Sequence, residues 1–307
     1  MDVLTALLSD LKLKCAFHIK ADFTAPWSVN IEQERTASFH FVMHGECFLE
    51  FENGDSFTME AGDLLLLPHG TARILTSRKG MKPVPLLSLL NYPLKGWYAD
   101  IEHGGGGKEA CVCGGALNIR RANEHKVIKA LPNWILVKAS ELEASTWFKE
   151  HLRCLFDEAE ADRPGGGMII SRMSEIIFLH ALRVYIYRDD QDKNPFFKAL
   201  ENPRIGKALK AMHLHPENAW TVASLAKEAS MSRASFAIQF PEFLGSTPIE
   251  YLTQLRIHKA ATLLRDSDFS VLDIALRVGY QTQASLSTAF RKHYGIPPGR
   301  YRKQSVV

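Results

Sequence analysis

No stretch of this sequence reaches the ~18 consecutive apolar residues that a membrane-spanning helix needs, so no span and no membrane partner are expected. Cysteine is sparse. The five present (Cys15, Cys47, Cys111, Cys113, Cys154) are an odd number in 307 residues, which argues against a disulfide scaffold. Met1 to Lys14 carries acids and no small-residue cleavage site, so no secretory leader is expected and the cytoplasm is the expected compartment. No Ser/His/Asp set or catalytic carboxylate pair is recognisable. The glycine run 104–107 lacks the Lys and the strand-to-helix context of a phosphate loop. The sequence therefore predicts no enzyme and no cofactor. What is present is 46% hydrophobic and 23% charged, a globular balance in a chain long enough for two cores.

The small net charge of +3 hides a division. Residues 1–194 hold 22 Lys and Arg against 26 Asp and Glu, a net of −4. Residues 195–307 hold 15 against 8, a net of +7. A basic module beside an acidic one is the electrostatic pattern of a nucleic-acid reader joined to a partner domain. The basic part also repeats itself. Phe236, Phe240, Gly245, Pro248 and Tyr251 return fifty residues later as Leu286, Phe290, Gly295, Pro298 and Tyr301. Each copy follows a short helical pattern and a tight turn, so each reads as a helix-turn-helix, the unit that lays its second helix in the major groove. The two units are expected at 221–244 and 270–294. Thr221, Ser232 and Thr282 are the expected helix caps. Between the units, Pro248 to Asp266 reads as one helix of ~28 Å, close to the ~34 Å turn of B-DNA.

The N-terminal part alternates. Phe39, Phe41 and Met43 interleave with Ser38, His40 and Val42. A hairpin turn at Asn53-Gly54-Asp55 follows, then Leu64 to Leu67 and Pro68-His69-Gly70. Short strands at this spacing predict a small β-barrel or sandwich resuming at Ala110–Ile119. Residues 139–188 read as a helical hairpin broken at Pro164 to Gly167, a candidate dimer seam. Val3, Leu4, Leu7, Leu8 and Leu11 suggest one face of a leading helix. The expected division is a barrel and dimerisation domain at 1–188, a linker at 189–194 and a DNA-binding domain at 195–307. The fold class is α+β, a β-barrel with a helical hairpin followed by an all-α domain.

Thr221 to Arg302 resembles the DNA-binding domain of the AraC/XylS family of bacterial transcription regulators. The residues that carry the resemblance are Asp273-Ile-Ala275, Val278-Gly-Tyr280, Phe290-Arg-Lys, Tyr294-Gly295, Pro297-Pro298 and Tyr301-Arg302. The resemblance implies an effector-responsive activator that binds promoter DNA as a homodimer and engages RNA polymerase. Base contacts would fall on Ala234, Ala237 and Ile238, and on Gln283, Ala284, Ser287 and Thr288. Arg233, Arg256, Arg291 and Lys292 are the phosphate candidates. Ile238, Gln239 and Pro241 depart from the basic residues usual there, and Pro241 is expected to kink its helix.

Gly62, Pro68-His69-Gly70 and Arg73 resemble the second motif of the cupin barrel, with Arg73 where metal-binding members carry a His. The resemblance implies a cupin-type sensor domain. No metal is expected. His40, His44 and His69, with Cys47, are the candidates for an improvised site. For a small-molecule or oxidant effector the candidates are His40, Cys47, His69, Cys15 and Cys113. Cys111 and Cys113 are expected on opposite faces of a strand. The alternative reading is a cupin-type metal-dependent enzyme with an accessory helical domain, and a third makes the N-terminal half a dimerisation unit only.

Overall fold

A computed structural model describes residues 2–8, 11, 13–90, 98–119, 125–143, 146–161, 163–188 and 193–304. The chain opens with helix α1 (Val3–Leu8). Eleven strands follow among the described residues: β1 (Leu13–Thr24), β2 (Ser28–Ile31), β3 (Ala37–His44), β4 (Glu46–Phe51), β5 (Ser56–Glu60), β6 (Leu64–Leu67), β7 (Arg73–Thr76), β8 (Val84–Pro85), β9 (Tyr98–Gly104), β10 (Glu109–Ile119) and β11 (Ile135–Val137). Helix α2 (Lys126–Ala130) lies between β10 and β11. Then come α3 (Ala139–Glu143), α4 (Thr146–Ala161) and α5 (Gly166–Tyr187). The basic part is helical throughout its described residues: α6 (Pro195–Glu201), α7 (Ile205–Leu214), α8 (Val222–Glu228), α9 (Arg233–Leu244), α10 (Pro248–Asp266), α11 (Val271–Arg277), α12 (Gln283–Tyr294) and α13 (Pro298–Gln304). The α+β class and both of its halves are as the sequence predicts.

The strands make two sheets, ordered β11-β6-β3-β10-β1-β9 and β5-β4-β7-β2-β8. Their inner faces close on Phe23, Trp27, Val42, Leu49, Leu65 and Leu75, with Cys47 among them. The Asn53-Gly54-Asp55 turn joins β4 to β5, and Gly54 sits at φ +90°, a conformation that side-chain-bearing residues avoid.

Two compact units result. One is Lys12–Asn123 with Leu131–Asp189. The other is Met1–Leu11, Glu124–Ala130 and Asp190–Val307. A division of the chain by position alone, with 1–188 on one side, does not capture this. Helix α1 buries Leu4, Ala6 and Leu7 and packs against α7. Helix α2 packs against α6, and Lys126 Nζ stands 3.6 Å from the centroid of the Tyr251 ring. Burial, then repulsion from Lys129, pulls the Lys126 pKa down to about 8. Of the expected linker, residues 189–192 lie outside the described residues. Lys193 is buried against Glu201 at 2.9 Å, and Asn194 caps α6 through the Phe196 N–H.

Three histidines are held neutral inside the units. Burial lowers His18 to about 4 and, with Lys259 beside it, His213 to about 3. Burial followed by the Arg73 charge holds His40 well below its ordinary value. A folded pKa below the unfolded one means that the unfolded chain binds the proton more readily. Stability is therefore complete above pH ~6.5 and is lost as pH falls toward each folded value, by ~1.4 kcal/mol per pH unit and per group. Urea midpoints at pH 7.5 and 5.5 should show this loss, and His213→Gln should remove its share from the helical unit. A flat profile would contradict it.

Candidate nucleic-acid interface

The repeated spacing has a structural meaning. In each copy the Gly ends the second helix in the left-handed region, at φ +65° for Gly245 and +76° for Gly295. The Pro three residues on is buried in the first turn of the next helix. The Tyr then returns onto the Phe. Phe240 meets Tyr251 edge-on at 5.8 Å and 84°, and Phe290 meets Tyr301 at 5.0 Å and 82°. The five matched letters therefore fasten each reading helix to the helix that follows it.

Caps fix where the helices begin. Thr221 and Ser224 form a capping box for α8, and Ser270 with Asp273 does so for α11. Ser232 and Thr282 accept from the Ser235 and Ser285 N–H groups at the starts of α9 and α12. The turns end α8 and α11 with the same pair of backbone bonds. Met231 N donates to Ala226 O and Tyr280 N to Ala275 O, with Ser230 and Gly279 at positive φ. Among the described residues Ser230 is the one non-glycine at positive φ, at 53°. Ser230→Gly is therefore expected to stabilise the helical unit by ~0.5–1 kcal/mol, read as a higher urea midpoint. No change or a loss would show that the Ser side chain itself holds the turn.

With Phe236 and Phe240 buried, α9 leaves Arg233, Ala234, Ala237 and Ile238 exposed; Ile238 is 65% exposed despite being apolar. With Leu286 and Phe290 buried, α12 leaves Gln283, Ala284 and Thr288 exposed and Ser287 half-exposed. Arg291 and Lys292 are also exposed. Helix α9 continues through Pro241 to Leu244, one more turn past Phe240. Arg256 differs from the other phosphate candidates. It is half-buried, and donates from Nε to Pro216 O and from Nη2 to Asn218 O, both at 2.7 Å. It braces the loop before α8, so these donors already have partners.

The nineteen residues of α10 form the predicted connecting rod. Its face Ile257, Ala260, Ala261 and Leu264 carries the second unit through Ile274, Ala275, Leu286 and Phe290. His213 is hydrogen-bonded to the Tyr251 hydroxyl at 2.9 Å, and Lys259 Nζ donates to His213 O at 2.9 Å, tying α7 to the same rod.

The barrel scatters the residues proposed for it. Arg73 Nε donates to His40 Nε2 at 2.9 Å, and Nη1 reaches Glu34 Oε2 at 3.0 Å and Thr71 O at 3.1 Å. A guanidinium thus occupies the lone pair that a cupin metal would use, so these residues do not fit a metal. His69 Nε2 lies 3.0 Å from Leu131 O. Cys47 is fully buried in the core, and burial, then Asp63 and Glu46, pushes its thiol up to about 12. The side chain of Cys15 lies outside the described residues. The set His40, His44, His69 and Cys47 is not brought together.

Cys111 and Cys113 require a correction. Side chains two apart on a strand share a face, because successive ones alternate. Val112, between them, points into the core, and both thiols lie on the other side. A hydrogen bond to Cys111, followed by burial, raises the Cys113 thiol strongly. Within the barrel, a cavity of ≈ 70 Å³ is lined by Phe23, Val29, Leu75 and Val112 and by polar groups of Ser38, His40 and Arg73.

Two helix-turn-helix units on a common rod, in a chain that also carries a two-sheet barrel, define a DNA-binding regulator. The cupin family matches residues 2–187 and the helix-turn-helix domain residues 225–304. An AraC-like transcription regulator of Streptomyces lividans is 30% identical over 311 residues, covering 100% of both chains. The transcriptional activator RclR of Escherichia coli, described as specific for RCS, is 29% identical over 87% of this chain and 84% of its own. The solved DNA-binding domain of AdpA, in complex with a target DNA, is 33% identical over 34% of this chain and 92% of its own, with a TM-score of 0.32. The chain belongs to the AraC-type family of helix-turn-helix transcription regulators.

Proposed function

We propose that this regulator is an effector-responsive activator that sets α9 and α12 into adjacent major grooves and engages RNA polymerase from that position. The observation that carries the reading is the matched pair of exposed faces, Ala234, Ala237 and Ile238 on one helix and Gln283, Ala284 and Thr288 on the other, joined by α10. Gln283 suits an adenine edge, and the Thr and Ala methyls suit thymine. Helix α9 offers mainly apolar contact, so most base discrimination falls on α12. Arg233, Arg291 and Lys292 supply phosphate contacts and the salt dependence. Fluorescence anisotropy on its own upstream DNA tests the reading. Gln283→Ala should weaken specific binding by ~1–3 kcal/mol, or roughly 5–150-fold. Arg291→Ala should lower the salt slope by about 1 and leave base preference intact. Absence of salt-dependent specific binding would overturn it.

The barrel is proposed as the sensor. Ser38 Oγ is buried without a hydrogen-bond partner among the described residues, and it borders the apolar cavity beside His40 and Arg73. A small apolar effector with one polar end suits that lining. Dimerisation is proposed through α5, where Met168, Ile169, Ile176, Leu179 and Tyr187 are exposed apolar side chains. Sedimentation of the full chain reads this directly, and a monomer at every concentration would exclude it.

A further inference from the structure

We propose a binding site for a zinc-class divalent metal ion on the outer face of the barrel, held by Asp22, His44 and Cys111. The three sit in one row across neighbouring strands. Asp22 of β1 pairs with Cys111 of β10, and Cys111 pairs with His44 of β3. Their ligand atoms all lie within 4.8 Å of one another. One more strand along, Glu102 of β9 is the register partner of Asp22 and extends the row.

An irregularity in the sheet creates this grouping. Val42 pairs with Val112, and both face the core. In a regular strand His44, two residues beyond Val42, would face the core as well. The register shifts between Cys111 and Val112, so that His44 rather than Met43 stands opposite Cys111. A bulge re-aims a side chain in this way, and bulges recur beside functional sites. Here it turns an imidazole outward, beside a thiol and a carboxylate.

The donor set is specific. Thiolate sulfur, imidazole nitrogen and carboxylate oxygen together match the tetrahedral preference of zinc better than the all-oxygen preference of magnesium or calcium. Three protein ligands leave a fourth position. Asp22 and His44 also line a polar cleft with Thr24, Glu102, His103 and Glu109, which gives the ion an entry path. Among the described residues Asp22 pairs with Lys20, whose Nζ is 3.7 Å away in a partly exposed pair that costs little to give up. On binding, the Cys111 S–H gives its proton to solvent and the sulfur bonds the ion.

The site is separate from the DNA-reading helices, and its test does not depend on them. The full chain, freed of metal, is titrated with cobalt(II) as a spectroscopic stand-in for zinc. A near-ultraviolet sulfur-to-cobalt charge-transfer band is expected to saturate at one equivalent and to vanish when zinc is added. His44→Ala and Asp22→Asn should each weaken cobalt binding by at least about tenfold, and Cys111→Ser should abolish the band. Cys154→Ser, at an exposed thiol elsewhere, should leave it unchanged. His44 and Asp22 are exposed, so those variants keep the test available if Cys111→Ser does not fold. Cobalt binding without a sulfur band, or a band indifferent to His44→Ala, would overturn the proposal.

Discussion

Phe290→Ala is expected to remove ~3–5 kcal/mol from the stability of the helical unit and, with it, DNA binding at physiological temperature. The ring is fully buried. It packs against Tyr294 at 4.8 Å and edge-on to Tyr301 at 5.0 Å, in the cluster that joins α10, α11 and α12. Truncation leaves a void between three helices that are already fixed by caps, so little collapse is available to fill it. The loss is a large share of the ~5–15 kcal/mol that stabilises a typical domain. Urea denaturation measures it. Phe290→Leu should cost clearly less, because it keeps most of the volume. Equal effects of the two would mean that the edge-on aromatic contact, rather than filled space, holds the unit.

Gly279→Ala is expected to cost roughly 3 kcal/mol or more through two additive causes. The residue sits at φ +91°, where a side chain is strained by ~1–3 kcal/mol. A Cβ there would also lie 2.7 Å from Arg256 Nη2 and 2.8 Å from Pro216 O. Moving the guanidinium disturbs its bonds to Pro216 O and Asn218 O, each a charged hydrogen bond of ~1.5–3 kcal/mol. A double-mutant cycle separates the causes. If the clash contributes, Gly279→Ala with Arg256→Ala will cost less than the two single losses summed. Strict additivity would leave backbone strain and the close approach to Pro216 O as the whole effect.

The helical half was legible because its signals are local. Phe240 and Tyr251, and Phe290 and Tyr301, are close in sequence, and the caps at Thr221, Ser232 and Thr282 act within three residues. The strands from Phe39 to Leu67 were legible for the same reason, through alternation and the Asn53-Gly54 turn. What escaped depends on distant partners. Strand β1 runs between β10 and β9, and its buried His18, Ala21 and Phe23 alternate too weakly to declare a strand. Nothing in Val3–Leu8 says that α7 is its partner. Arg73 was visible as a substitution within a motif, but its bond to His40, 33 residues away, was not. His44 needed the bulge, a one-residue irregularity that no periodicity announces. For Cys111 and Cys113 the signal was present, since a spacing of two on a strand means one face.

Base-resolution footprinting of the full chain on its upstream DNA tests the central claim most directly. Two protected major-groove patches, centred about one helical turn (~10 bp) apart on one side of the duplex, are the result expected of α9 and α12 carried by α10. Ala237→Glu should erase one patch and Ala284→Glu the other. A single patch that only α12 variants affect, or two patches on opposite sides of the duplex, would contradict the account.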